Sequence, residues 1–284
     1  MSFLAALPGR VPRGTRIAFP ESAEPRTAAA IDRLRSEGRV HPVAVVDGDG
    51  GDPEVRIGTA DPAARAAALE AWPELAPPGA GDELRFAVAL LRAGRVDGVV
   101  AGAEATTADV LRTGLRVLGP AEGIRTVSSA FYMVLPPDGA EPERVLTFTD
   151  AAVVPAPDPE QLAEIAEAAC CARARVVGDE PRVAFLSYAT RGSAAGASVE
   201  RVREGLERFR ARRPDVRADG ELQADAALVP EVAACKAPGS PVEGRANVLG
   251  FPDLDAGNIA YKLVQCVSVG LRLGNKEHPD VMVS

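Results

Sequence analysis

RVAFLSYATRGSAAGASVERVREGLERFRAR, residues 182–212, decides the fold class. It opens on a buried-strand pattern, RVAFLSYA (182–189), crosses a loop of small and hydroxyl residues, and closes on a helical run near 197–212. A strand that feeds a helix through a short loop is the first half of a βαβ unit. The same alternation extends in both directions. RIAFP (16–20) leads into a helix near 24–37, and HPVAVVD (41–47) follows. VDGVVAGA (96–103) precedes a helix near 106–118, a helix near 159–177 comes before the quoted strand, and ANVLGFPD (246–253) comes after it. The pattern predicts an α/β fold with mostly parallel sheets. Two consecutive strands, TVSSAFYMVLP (126–136) and RVLTFTDAAVV (144–154), break the alternation and predict an antiparallel pair. The turn-rich connector PPDGAEPE (136–143) reads as a domain boundary. That gives one α/β domain over 1–135 and a second from 136 onward.

Composition sets the outer limits. Hydrophobic residues make up 46% of 284 and charged residues 25%, the balance of a chain that buries a core. Aromatics are only 4%, so that core must be built from Ala, Val and Leu. A formal net charge of −8 argues against nucleic acid as a partner, because phosphate backbones select basic faces. No apolar run approaches the ~20 residues that span a bilayer. The opening MSFLAALPGRVPRGTR lacks a signal-peptide layout, which predicts a cytoplasmic protein with no membrane partner. Four cysteines form no CxxC pair, and adjacent Cys170 and Cys171 read as small buried apolar residues in a helix. His41 and His278 are the only histidines, and neither sits in a motif for zinc or for a Ser-His-Asp triad, so no metal is expected.

Three strand-to-helix transitions carry polar groups that suit an anion. In VVAGAEATTADVLR (99–112), Thr106 and Thr107 precede a helix bearing Asp109 and Arg112. Free N–H groups at a helix start favour an anion, and Arg112 could fork onto a phosphate; one of the two threonines also suits the helix cap. FLSYATRGSAAGAS (185–198) opens a strand into Thr190, Arg191, Gly192 and Ser193, hydroxyls and a glycine without the lysine of a P-loop. FPDLDAGNIAYK (251–262) reads as strand, loop and a helix capped by Asp255 or Asn258, with Lys262 one turn on. Lys236 and Ser240 lie just before it in AACKAPGSP (233–241). Only three of the 32 basic residues are lysines, so two in one stretch tilt it toward function.

The segment from Asp219 to Gln265, DGELQADAALVPEVAACKAPGSPVEGRANVLGFPDLDAGNIAYKLVQ, closely resembles the phosphate acetyltransferase (phosphotransacetylase) family and its phosphate butyryltransferase relatives. TRIAFPESAEPRT (15–27), VDGVVAGAEATTADVLR (96–112), FTDAAVVPAPDPEQLAEIA (148–166) and FLSYATRGSA (185–194) match the same family in the same order. The resemblance implies a two-domain fold like that of isocitrate and isopropylmalate dehydrogenases, a homodimer, and a cleft between domains. It implies reversible acyl transfer between coenzyme A and phosphate, with acetyl-CoA or another short acyl-CoA as substrate and no separate cofactor. Arg112 matches the arginine of the DxxR motif associated with CoA. Lys236 and Lys262 match cleft positions and are the expected catalytic cations. Thr107, Ser129, Thr190, Ser193, Ser240 and Asn258 match further cleft positions expected to bind substrate.

After Gln265 the resemblance stops, which ends the second domain at 136–265 and leaves 266–284 as a divergent tail. CVSVGLRLGNKEHPDVMVS (266–284) has no counterpart of the family segment that supplies a phosphate-binding Ser-Arg pair and a proposed general-base aspartate. Ala105 stands where a histidine is common, and AALEAWPELAPPG (67–79) replaces a basic segment with a second CoA-linked arginine. Two readings follow: a phosphate acetyltransferase-like enzyme, and a non-catalytic homologue that binds CoA or phosphate without turnover. A metal-dependent dehydrogenase of similar fold is disfavoured, since no cluster of metal-binding aspartates is recognisable.

Overall fold

A computed structural model describes residues 2–77, 81–137 and 142–272, with the side chains of 267–272 outside that description. The expected tail from 273 onward therefore lies outside the described residues. After a single-turn helix α1 (Phe3–Ala6), the chain divides into two units. One is Leu4–Glu122; the other runs from Gly123 and takes in the residues before Leu4.

The first unit alternates β1 (Arg16–Phe19), α2 (Pro25–Glu37), β2 (His41–Val46), β3 (Arg56–Gly58), α3 (Pro62–Ala71), α4 (Glu83–Arg92), β4 (Gly98–Val99) and α5 (Thr107–Val117). Its sheet has the order β3-β2-β1-β4, and every pair is parallel. Local chemistry starts the helices. Proline occupies the first helical position of α2 and α3, where its missing N–H costs nothing. Glu24, Asp61 and Thr106 each accept a hydrogen bond from a backbone N–H of the first turn. Thr106, not Thr107, is thus the cap of α5. Ala18, Val43, Val45, Ile57, Phe86 and Leu90 form the centre of the core between sheet and helices.

The second unit contains β5 (Phe131–Leu135), β6 (Arg144–Thr149), α6 (Pro159–Val176), β7 (Arg182–Leu186), α7 (Ala197–Arg212), β8 (Arg217–Leu222), α8 (Ala224–Leu228), α9 (Pro230–Lys236), β9 (Val248–Gly250) and α10 (Leu254–Arg272). The sheet order is β5-β6-β9-β7-β8, with β5 antiparallel to β6 and all other pairs parallel. Successive residues of a strand face opposite sides. On β7, Val183 and Phe185 join one core with α6 and α7, while Ala184 and Leu186 join another with Ala226, Ala227 and Tyr261. Helices therefore cover both faces.

Two sequence expectations are corrected and one element that the sequence did not suggest is added. The connector 136–143 is not a boundary, because the strands on either side pair with each other inside one unit; the division falls at Glu122/Gly123. Residues 217–222 form a strand that the pattern RADGEL hid, since Asp219 and Glu221 are polar yet buried. The cap of α10 is Asp253, which accepts from Ala256 N at 2.9 Å, rather than Asp255 or Asn258. The expected antiparallel pair is β5 and β6. None of the described helices is long and apolar enough to cross a membrane.

Candidate active site

In an open α/β sheet the strands' carboxyl ends are where ligands gather. β6, β9, β7 and β8 run parallel, so the residues that follow each of them lie along one edge of the second unit's sheet. Most of the polar residues singled out in the sequence fall on this edge, in two groups.

The first group follows β7 and β8. Thr190 N donates to Ser193 Oγ at 2.9 Å, Gln223 N donates to Thr190 Oγ1 at 2.9 Å, and Lys236 Nζ donates to Gln223 Oε1 at 3.1 Å and Asp225 Oδ2 at 2.7 Å. One chain of contacts thus ties Ser193, Thr190, Gln223, Lys236 and Asp225 together. Below it lie two buried carboxylates of β8. Asp219 accepts from Arg191 Nη2 at 2.7 Å, from Arg210 Nη2 at 3.2 Å and from the Ser240 hydroxyl. Glu221 accepts two bonds from Arg203 and one from Gly192 N, all at 2.8 Å. The Arg203 fork outweighs burial and holds the Glu221 carboxyl down at about 2. Lys236 likewise lowers Asp225 against its ordinary value. Thr190 and Ser240 are buried; their hydroxyls fix the loop, whereas Ser193 and Lys236 are exposed.

The second group follows β6 and β9. Asp150 is buried and accepts from the Ser129 hydroxyl, from Ser129 N and Ala152 N at 3.1 Å, and from Val154 N at 2.7 Å. Ser129 Oγ also accepts from Ala151 N at 3.1 Å, so both roles of that hydroxyl are spent within the chain. Asn258 Nδ2 donates to Ala151 O at 3.3 Å and docks the start of α10 here. Gly257 makes that approach possible: a Cβ on it would lie 2.4 Å from Asp150 O. Lys262, one turn beyond Asn258, is exposed with its Nζ 5.1 Å from the centre of the Tyr261 ring. Tyr261 in turn stacks on Phe131 at 4.5 Å. No described contact joins Lys262 to Lys236; the structure sets them in separate groups on the same edge.

Thr107 and Arg112 belong to the first unit. There a cleft of about 820 Å³ opens beyond β1 and β2, lined by Val45, Val46, Trp72, Leu84 and Val117 and by Arg56, Arg85, Arg112 and Arg116. Arg112 Nη1 donates to Asp109 Oδ1 at 2.6 Å. The Asp109 carboxyl is lowered by the Thr106 hydroxyl first and by Arg112 second, with Arg85 contributing at longer range. Arg116 lies over the Trp72 ring at 5.9 Å and donates to Glu74 at 3.0 Å. The segment 67–79, which lacks the expected second arginine, supplies this tryptophan instead. Thr107 is exposed at the first position of α5. The four arginines share this lining with five carboxylates, Glu21, Asp47, Glu83, Glu104 and Asp109, so the cleft is of mixed charge. Its guanidinium groups beside apolar side chains offer contacts to a ligand with both an anionic and a flat or aliphatic part.

The model of the phosphate acetyl/butaryl transferase family matches residues 63–274. The chain belongs to this family. A phosphate acetyltransferase of Clostridium acetobutylicum is 48% identical over 184 residues, 65% of this chain and 55% of that protein. One from Paracoccus denitrificans is 40% identical over 263 residues, 88% of this chain and 81% of that protein. The chain spans little more than half the length of the first of these, and 59% of a third relative from Thermoanaerobacterium thermosaccharolyticum. A solved phosphotransacetylase from Streptococcus pyogenes superposes with a TM-score of 0.80 at 32% identity, covering 94% of this chain and 86% of that one.

As a phosphate acetyl/butaryl transferase family member, the chain carries its polar edge on residues that sequence reasoning found only in part. Asp219, Glu221 and Gln223 were missed because alternating acidic and small residues do not look like a buried strand. Asp150 and Glu21 were missed because a lone carboxylate after a strand carries no pattern. Cys170 is buried and its thiol is pushed up to about 12 by desolvation, as the apolar reading of the sequence expects, whereas Cys171 is exposed, which corrects that reading for the second cysteine. Among the described residues no three His, Cys, Asp or Glu side chains converge as a metal site.

Proposed function

We propose that this chain transfers an acyl group reversibly between coenzyme A and inorganic phosphate: acetyl-CoA plus phosphate gives acetyl phosphate plus CoA. The observation that carries the reading is the family match over 63–274, which spans every candidate residue from Thr107 to Lys262. In the reverse direction the CoA thiolate attacks the carbonyl of acetyl phosphate, a tetrahedral oxyanion forms, and phosphate leaves with the C–O electron pair. Both the oxyanion and the leaving phosphate concentrate negative charge, so fixed cations lower the barrier more than they tighten the ground state. Lys236 and Lys262 are assigned to that charge. Ser193 and Asn258 orient the phosphate, while Ser129, Thr190 and Ser240 hold the loops that present them. Arg112, with Thr107 at the same helix start, grips the CoA end in the first unit's cleft.

The proposal extends to a two-domain fold of the isocitrate and isopropylmalate dehydrogenase class, a homodimer and a cytoplasmic location, with CoA as a substrate and no further cofactor. The test is phosphate-dependent release of thiol from acetyl-CoA by the purified chain. Turnover is expected, falling about a hundredfold in Lys262→Ala as a transition-state cation is lost. CoA binding without any thiol release would replace the enzyme with a binding homologue.

A further inference from the structure

Residues 102–105, between β4 and α5, spend four successive backbone N–H groups on one carboxylate. Gly102 and Ala103 donate to Glu21 Oε2 at 2.8 and 2.7 Å, and Glu104 and Ala105 donate to Oε1 at 3.1 and 2.7 Å. Convergent N–H groups of this kind make an anion-binding concavity. Here the anion comes from the chain itself, from the turn just after β1. Arg26 completes the clasp by donating from Nη2 to Ala103 O at 3.0 Å. The next residue, Thr106, caps α5, and Asp109 and Arg112 follow on its first two turns. Glu21, Glu104, Ala105, Asp109 and Arg112 all line the same cleft.

We propose that Glu21 is a positioning residue for the CoA cleft: its carboxylate shapes the 102–105 loop, and through it sets the start of α5 and the direction from which Arg112 addresses the ligand. The inference rests on the reading of that cleft given above. Chemistry restricts the position to an anion. A carboxylate offers two acceptor oxygens to four donors, whereas glutamine offers one and turns an NH2 group toward N–H groups that need an acceptor. Burial alone would push the Glu21 carboxyl up, but the N–H groups of Ala105, Ala103, Glu104 and Gly102 together outweigh it and hold it below its ordinary value. Glutamate therefore stays charged through the neutral range, and the loop keeps its anchor.

The test compares the whole chain with Glu21→Gln and Glu21→Asp. Amide exchange at 102–105, calorimetric CoA affinity, and KM and kcat for phosphate-dependent thiol release are measured on each. Glu21→Gln is expected to speed exchange at 102–105 at least tenfold, to weaken CoA binding and to raise the KM for acetyl-CoA, each by about tenfold, as the grip is misplaced. The KM for phosphate and the protection of β2 should stay as in the parent, and Glu21→Asp should fall between. An unchanged KM and CoA affinity in Glu21→Gln would overturn the proposal. So would an equal loss in kcat, both KM values and protection across the whole first unit, which is the mark of a merely structural glutamate. If the parent binds CoA but releases no thiol, the transfer reading fails by itself, and exchange and CoA affinity still decide Glu21. If the parent binds no CoA, both fall.

Discussion

At the scale of single residues the same guanidinium–carboxylate chemistry serves two ends, and substitution separates them. Arg203 and Glu221 are joined by a bidentate pair over a carboxylate only 2% exposed. Glu221 is held at about 2 from an ordinary 4.5, so its contribution is complete above pH 4.5 and is lost as pH falls from there toward 2. With solvent around Arg203 allowed for, that amounts to about 2 kcal/mol at neutral pH. Glu221→Gln should lower Tm at pH 7 and flatten the fall in Tm between pH 4.5 and 2, seen by circular dichroism melts across that range. Arg112 and Asp109 are both more than half exposed, a pair worth little to folding. Arg112→Ala should therefore leave Tm nearly unchanged and raise the KM for acetyl-CoA at least tenfold, as expected for a lost charge-assisted contact. The sequence exposed Arg112 and the two lysines because they stand out, one by its place after capping threonines and the others by rarity. It hid Glu221 because a buried acid reads as a surface one until its arginine, 18 positions away, is folded against it.

At the scale of elements, legibility follows how local the determining chemistry is. Helix α6 begins at Pro159 behind Asp158, which accepts from Gln161 N while the Gln161 side chain accepts from Asp158 N. Both partners sit within four residues, and the helix near 159–177 was legible for that reason. Asp158→Ala should cost about 1 kcal/mol, read as a drop in Tm of a few degrees. Strand limits depend on neighbours that the sequence does not place beside them. The run 96–103 looks like a full strand, yet the described strand is only Gly98–Val99; Val100 N makes the last bond to β1, at Ala18 O, and the N–H groups from Gly102 onward go to Glu21 instead. α10 carries its own instance. Gly257 reads as a helix-weakening glycine, but its lack of a side chain lets the helix press onto Asp150 and Ala151. Gly257→Ala should destabilise by about 1–3 kcal/mol through overpacking rather than gain from helix propensity. A Tm above the parent's would refute the close approach.

At the scale of the whole molecule, the chain holds cores that share no residue. Phe86 and Leu90 lie at the centre of the first unit's core, and Phe185 and Phe209 meet at 5.6 Å in one core of the second. Each sheet is built from its own stretch of sequence, which is why the α/β class could be read from alternation alone. The boundary could not, because the connector 136–143 has the composition of a linker and only strand pairing reveals it as part of one unit. Separate cores carry a consequence for cooperativity. A cavity in one should raise local opening in its own unit and leave the other's slowest amides in place. Phe86→Ala and Phe209→Ala, each costing about 3–5 kcal/mol in its own core, are the pair to compare by native-state hydrogen exchange. Phe86→Ala should lose protection in β1, β2 and α4 while β7 and β9 keep theirs, and Phe209→Ala should do the reverse. If either substitution lowers protection equally in both sets of strands, the two cores unfold as one cooperative body, and stability lost anywhere would be felt at both the Arg112 cleft and the Lys236 edge.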